Sequence, residues 1–172
     1  MLIYKSRVFD LYCMDMSSRH TPFEYVGHHG SCAALVLDKS DENNEVGLLA
    51  HHRPAIGRTL FELPARTLVP GRAIEDVMRN ELYENTGLPI VARQLSKLTA
   101  LYTSPGYSSE LLTIFLVQLT RQQRQAADAL RWFSLPELNR LILNQEIIDL
   151  KTVAAITAYQ AVLWKGEGDE VL

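Results

Sequence analysis

The sequence predicts a mixed α/β (α+β) fold, because apolar runs of strand length alternate with segments of helical periodicity. Ser31 to Asp38 (SCAALVLD) is a short continuous apolar run, which is typical of a buried strand. From about Ala73 to Thr86, apolar residues recur every fourth position and indicate a helix. Leu111 to Leu119 is a second apolar strand, and an apolar stripe from Ala154 to Leu163 indicates a C-terminal helix.

Composition limits the class of protein. The chain has 172 residues, 47% of them apolar and 22% charged, enough for one domain with a sizeable core. A net charge of −3 excludes a general attraction to nucleic acid or to an anionic membrane. The two cysteines, Cys13 and Cys32, are too few for a disulfide framework and match a reduced compartment. Because we find no signal peptide and no apolar run of the ~20 residues that cross a bilayer, we expect a cytoplasmic protein with neither nucleic-acid nor membrane partners.

The segments around the buried strand also indicate strands and turns. Arg7 to Met16 and Phe23 to His29 are strand candidates, with a polar turn at 17–21 between them. Lys39 to Asn44 is charged and polar and predicts a turn. Glu45 to His52 returns as a strand, so a hairpin is expected here.

The candidate site lies in Glu62 to Leu88 (ELPARTLVPGRAIEDVMRNELYENTGL), where a strand end and a loop lead into the predicted helix. Gly87 is expected to end that helix in a left-handed cap. Spacings of three and four place Glu81, Glu84 and Asn85 on one helix face. Two carboxylates and an amide are oxygen ligands of the kind that a hard divalent cation takes. A solvated helix face is the alternative interpretation of the same pattern.

The same stretch resembles the Nudix box, whose pattern is G, five residues, E, seven residues and then R-E-apolar-x-E-E-x-G-apolar. The segment ELPA before the box resembles the ADP-ribose pyrophosphatase branch of that family. The positions that fit the pattern are Glu81, Leu82, Glu84, Gly87 and Leu88. The positions that depart from it are Arg66 for the first Gly, Arg72 for the first Glu, Asn80 for the Arg and Asn85 for the last Glu.

Two further segments resemble this branch, so that the resemblance covers nearly the whole chain. Ser104 to Glu110 matches an SPG-x-x-x-E pattern, and Glu146 to Thr152 matches a G-E-I-x-D-x-K-T run in which Gln145 replaces the Gly. The resemblance implies a Nudix-type α/β/α sandwich with a mixed sheet at 30–172. It also implies a small N-terminal antiparallel sheet at 1–29 that helps to form a homodimer.

The activity implied by the resemblance is hydrolysis of the pyrophosphate of ADP-ribose or a related nucleoside diphosphate sugar, by water and with Mg²⁺ or Mn²⁺. The implied metal ligands are the Ala65 carbonyl, Glu81, Glu84 and Asn85. The implied catalytic residues are Glu81, Glu84 and Glu110, and the candidates for general base are Glu84, Glu110 and Asp128. The candidate substrate contacts are Arg53 with the phosphates, Tyr107 with a base or ribose, and Arg66. Arg53 is equally well interpreted as an exposed loop arginine, and Tyr107 is better interpreted as closing its loop.

The departures from the pattern bear on activity, because together they make the box more positive than the family pattern. Asn85 offers an amide oxygen without charge, and Arg66 replaces a glycine that can require a positive φ. Arg131 stands where a Glu of the family is expected. One interpretation is a hydrolase with weakened metal binding or activity, and the other is a catalytically impaired module that binds a nucleotide or another phosphate ligand. A purely structural interaction protein is a third, which the retained Glu81, Glu84 and Glu110 disfavour.

Overall fold

The N-terminal part of the molecule is a small antiparallel sheet, as predicted. The computed structural model describes residues 1–15, 21–38 and 44–168, so the predicted turns at 17–21 and 39–44 lie largely outside the described residues. The strands of this sheet are β1 (Leu2–Lys5), β2 (Phe9–Met14) and β3 (Phe23–His28). β2 pairs with both neighbours. The sequence did not predict β1, whose residues are all exposed, because a strand without a buried face has no alternating pattern.

A larger mixed sheet forms the centre of the molecule, which confirms the predicted fold class. Its strands are β4 (Ser31–Asp38), β5 (Glu45–Arg53), β6 (Arg58–Glu62), β7 (Ala65–Thr67), β8 (Leu95–Tyr102), β9 (Leu111–Leu119) and β10 (Arg131–Phe133). The order is β10-β5-β4-β9-β8, with β6 paired to β5 and β7 paired to β4. Among the described strands of this sheet, β4 and β9 run parallel, and the other pairs are antiparallel.

Helices cover both faces of this sheet. They are α1 (Ile74–Thr86), α2 (Arg121–Gln125), α3 (Leu135–Leu143) and α4 (Leu150–Gly168). Alternate residues of β4 enter two separate cores, one with α1 and the other with α3 and α4, since neighbouring strand residues point to opposite faces. The result is the expected α/β/α sandwich. Within the described residues, no helix is both long and apolar enough to cross a membrane.

Helix α1 spans Ile74–Thr86 between the caps Ala73 and Gly87, close to the predicted bounds. Gly87 has a φ of 69°, and its N–H donates to the Tyr83 carbonyl at 2.9 Å, which is a left-handed cap that glycine adopts without steric cost. Glu81 lies on the buried face of the helix, whereas Glu84 is exposed. The two carboxylates therefore share a helix side but differ in solvation.

Short strand β7 fixes the loop that precedes α1. Ala65 lies opposite Ala33 of β4, and Arg66 lies opposite Cys32. The Cys32 thiol donates to the Arg66 carbonyl at 3.6 Å. Arg66 is therefore held in extended backbone beside the central strand, from which its side chain reaches α1.

Candidate active site

A cleft of about 440 Å³ opens where β7, the end of β8 and the start of α4 meet. Of the residues predicted for the site, it is lined by Arg53, Ala65, Arg66 and Glu110. The start of α4 adds Asp149, Leu150 and Lys151 to its wall. The cleft thus gathers cationic and anionic groups from segments far apart in the sequence.

The guanidinium of Arg66 lies between the two carboxylates of α1. Its Nη1 lies 3.3 Å from Oε2 of Glu81 and forms a closer ion pair with Oε2 of Glu84. The described non-glycine residues with positive φ are Asn44 and Gln145, so Arg66 fills the glycine position of the box without backbone strain. An arginine side chain therefore occupies the position where a cation between Glu81 and Glu84 would lie.

Glu81 is the more buried of the two carboxylates, with the residue 8% exposed. The Asn85 side-chain amide donates to its Oε1 at 2.7 Å and to its backbone carbonyl at 3.1 Å. Burial raises the pKa of Glu81 above its usual value; the Arg66 guanidinium offsets part of that rise, and the charge of Glu84 adds to it. Asn85 thus serves Glu81 as a hydrogen-bond donor.

Glu110 is fixed to the cleft wall by two hydroxyl groups. Ser31 Oγ donates to its Oε1 at 2.7 Å, and Thr103 Oγ1 donates to its Oε2 at 2.8 Å. His28 Nδ1 lies 3.8 Å from Oε1 and accepts the Gly30 N–H at 3.0 Å. Sequence reasoning missed Ser31 and Thr103, since neither lies in a motif and both reach Glu110 only through the fold.

A second charged group lies in the same cleft around Glu62, which is 2% exposed. Arg53 donates to it through Nε at 2.9 Å and through Nη2 at 2.5 Å. Lys151 Nζ also binds Glu62, and it lies 2.8 Å from Oδ1 of Asp149. Glu62 belongs to the ELPA segment, and Asp149 and Lys151 belong to the D-x-K-T run, but no pattern in the sequence indicated that the two segments meet.

With this geometry in place, comparison with known proteins assigns the family. The family model for the NUDIX domain matches residues 27–155. The chain belongs to the Nudix family. It is 30% identical over 168 residues to an ADP-ribose pyrophosphatase of Bacillus subtilis (strain 168), covering 92% of this chain and 88% of that protein.

Two further relatives extend the comparison. An ADP-ribose pyrophosphatase of Mycobacterium tuberculosis (strain ATCC 25618 / H37Rv) is 30% identical over 147 residues, covering 81% of this chain and 69% of that protein. A methanol dehydrogenase activator of Bacillus methanolicus is 25% identical over 168 residues, covering 92% and 88%. These matches support a Nudix hydrolase of the ADP-ribose pyrophosphatase-like branch.

Nudix hydrolases generally use divalent metals, but the side chains of this box do not fit such an ion as they are arranged. Both carboxylates hold the Arg66 guanidinium, and Asn85 presents its NH₂ group to Glu81, although Mg²⁺ binds oxygen ligands. Across 1–15, 21–38 and 44–168, no cluster of three or more His, Cys, Asp or Glu residues could hold a metal ion. The ligand set Ala65, Glu81, Glu84 and Asn85 therefore stays a prediction that requires Arg66 to move away.

Two predicted residues lie away from the cleft. Tyr107 is 61% exposed and lines a separate apolar groove with Phe23 and Tyr25 of the N-terminal sheet. The Arg131 guanidinium lies over the ring of Phe61, 4.9 Å from its centroid, in a further groove. Arg131, which stands where a Glu of the family is expected, therefore does not line the cleft.

Arg72, the other arginine at a position where the box departs from the pattern, lies beside the site without an ion pair to its carboxylates. Arg72 and Asn80 line a small recess with Arg66 and Glu84. Arg72 makes no ion pair with any residue that the structure describes. Of the arginines in the box, Arg66 is thus the one that contacts Glu81 and Glu84.

Proposed function

We propose that this chain hydrolyses the pyrophosphate of ADP-ribose or of a related nucleoside diphosphate sugar, with metal binding weakened by Arg66. The observation that carries the proposal is the guanidinium bridging Glu81 and Glu84. The two ADP-ribose pyrophosphatases that the chain resembles support the substrate class. Attack of water on the diphosphate would release AMP and ribose 5-phosphate from ADP-ribose.

The weakening follows from competition for the same carboxylate oxygens. Arg66 has a side chain that is 42% exposed, and a partly exposed ion pair contributes up to about 1 kcal/mol. Two such pairs at one guanidinium correspond to roughly a tenfold loss of apparent metal affinity. Mg²⁺ or Mn²⁺ would therefore be needed at higher concentration than with glycine at this position.

The chain's own groups in the cleft suit an anionic substrate. Arg53 lines the cleft and could bind a phosphate there, and Glu110 is the candidate for general base that lines it. Glu84, a second candidate, lies beside the cleft, where it pairs with Arg66. Asp128 is not among the residues that line it. Both oxygens of Glu110 already accept hydroxyl hydrogen bonds, which suits it to orienting water or a substrate hydroxyl.

The proposal extends to assembly and location. A homodimer formed through the N-terminal sheet is supported by the exposed large apolar side chains of β1, which are Leu2, Ile3 and Tyr4. A cytoplasmic location is in keeping with the free thiols of Cys13 and Cys32. Clusters of exposed apolar side chains commonly mark protein interfaces. Sedimentation of the intact chain at several concentrations tests the dimer, and a monomer throughout would contradict it.

The test of the hydrolase is AMP release from ADP-ribose, titrated with Mg²⁺ and separately with Mn²⁺. We expect the unmodified chain to be active only at high metal concentration. Arg66→Gly should lower the concentration for half-maximal rate about tenfold, because the competing guanidinium is gone. Arg72→Gly is the matched control, since it removes the same charge without touching the carboxylates, and a much smaller shift is expected. Asn85→Glu should lower the metal concentration for half-maximal rate further in the Arg66→Gly background than in the unmodified chain.

If neither the unmodified chain nor Arg66→Gly releases AMP at any metal concentration, the hydrolase proposal is contradicted. The second candidate, a catalytically impaired module that binds a nucleotide or another phosphate ligand, would then be preferred. It is favoured by one observation, that Arg66 already balances the charge of the box carboxylates. Binding of ADP-ribose in the presence of a chelator would support it.

A further inference from the structure

We propose that Lys151 and Arg53 form a clamp of two cations for the diphosphate of the substrate, and that Glu62 is the positioning residue that holds them. The inference deepens the proposed function and rests on its substrate class. The sequence predicted substrate contacts for Arg53, Tyr107 and Arg66, and neither Lys151 nor Glu62 was among the predicted site residues.

Glu62 has the geometry of a shared anchor. It is 2% exposed, and a carboxylate so deeply buried requires paired, hydrogen-bonded partners. Arg53 supplies two parallel hydrogen bonds, from Nε and Nη2, and Lys151 supplies a third. Two cations are thereby held on one carboxylate at the edge of the cleft, which both of them line.

Each cation keeps hydrogen-bond donors that the network does not use. A guanidinium carries five N–H donors, and Arg53 directs its Nε and Nη2 to Glu62, while its Nη1 has no hydrogen-bond partner among the described residues. An ammonium carries three, and those of Lys151 have two acceptors, Glu62 and Asp149. Donors therefore remain on both side chains for the oxygens of a ligand in the cleft.

The lysine is fixed from its other side as well. Asp149 accepts from Lys151 at Oδ1, while its Oδ2 accepts from the Thr152 N–H at 3.0 Å and from Thr152 Oγ1 at 2.6 Å. Thr152 Oγ1 in turn accepts the Leu63 N–H at 3.1 Å. The first turn of α4 is thus joined to the segment that carries Glu62. Lys151, with a side chain 13% exposed, has little freedom to lose when a ligand binds.

A positioning role and a simple charge effect predict opposite results. Glu62 is negative, so its neutralisation should strengthen anion binding if overall charge were what matters. If Glu62 holds the clamp, Glu62→Gln weakens binding, because the NH₂ group of the new side chain faces a donor of Arg53 or Lys151 and releases one of them. The sign of the change therefore separates the two explanations.

The experiment is calorimetric binding of ADP-ribose and of inorganic pyrophosphate to the intact chain in EDTA, so that no metal contributes. Lys151→Met should weaken both ligands about tenfold, since one charge-assisted hydrogen bond is lost. Lys165→Met is the matched control, because it removes the same charge from the exposed far end of the same helix, and it should leave both affinities within about twofold. Lys151→Arg should recover most of the lost affinity, because it restores the positive charge. A purely structural role of Lys151 does not predict this recovery.

Unchanged binding by folded Lys151→Met, or no binding of either ligand by the unmodified chain, would overturn the clamp. Tighter binding by Glu62→Gln would overturn the positioning role. If Glu62→Gln does not fold, Lys151→Met and its rescue decide the matter alone. If ADP-ribose binds in a Lys151-dependent way but no AMP is released with metal, the hydrolase proposal is contradicted and the clamp is supported.

Discussion

Cys32 and Arg66 face each other on paired strands, and this pairing links the core to the candidate site at the scale of single residues. The helical spacing of Glu81 and Glu84 was readable from the sequence, because α1 is local structure. The direction of the Arg66 side chain was not, because it depends on β7 lying against β4. The surroundings of Arg131 were not readable either, since its partners Phe61 and Phe133 come from separate strands.

At this scale we predict that Cys32 is unreactive in the folded chain. Burial raises the pKa of its thiol to about 12, so almost no thiolate is present near pH 7. Titration with a chromogenic disulfide reagent should show one fast thiol, Cys13, and a second only in denaturant. Cys32→Ala should leave the fast phase intact. Two fast thiols in the native protein would show that β4 opens readily.

Among the elements, the junction between α3 and α4 departs most from local preference. Gln145 has a φ of 60° at the position where the resembled pattern has Gly. Its N–H donates to the Ile142 carbonyl at 3.0 Å, so this left-handed residue closes the end of α3. A side chain in this conformation costs about 1–2 kcal/mol.

Gln145→Gly should therefore stabilise the fold. Because glycine also gives the unfolded chain more conformational entropy, we expect a net gain in the free energy of unfolding of about 0.5–1 kcal/mol, or a rise in Tm of about 1–4 °C. Thermal unfolding followed by circular dichroism measures the shift. Gln122→Gly, within helix α2, is the control and should bring no gain. A lower Tm for Gln145→Gly would mean that the Gln side chain contributes more than its backbone strain costs.

The elements that the sequence predicted were those with a clear periodic pattern. Strands β4 and β9 are continuous apolar runs, and α1 has a helical repeat. By contrast, no periodic pattern indicated α2, because it is five residues long and has no apolar face. The Thr120 hydroxyl that accepts the Gln123 N–H at its start was the missed signal.

For the whole molecule, the Glu62 network joins strand β5, strand β6 and helix α4, so it should influence global stability. Burial raises the pKa of Glu62, but the hydrogen bonds from Arg53 and Lys151 outweigh it, and the pKa lies below its usual range. As the pH falls, the Glu62 carboxylate is therefore protonated at a higher pH in the unfolded chain than in the folded chain. The stabilisation is complete above the ordinary glutamate value of ~4.3 and is lost as the pH falls below it.

Glu62→Gln should consequently destabilise the fold more at pH 7 than at about pH 3.5. Urea unfolding at the two pH values measures the difference. Glu75→Gln removes an exposed carboxylate and should cost little at either pH. The raised pKa of Glu81 acts in the opposite sense, since the stability that it contributes is lost as the pH rises through its folded value. An equal cost of Glu62→Gln at both pH values would contradict the prediction.

The parallel pairing of β4 with β9 joins segments separated by about 80 residues, from Ser31 opposite Leu112 to Asp38 opposite Leu119. Contacts of such sequence separation slow folding, because a long loop must close before they form. On the ribosome, the completely buried strand β4 emerges long before β9 and must wait for it with its apolar side chains uncovered. This interval in synthesis is when the chain is most exposed to aggregation and most in need of a chaperone.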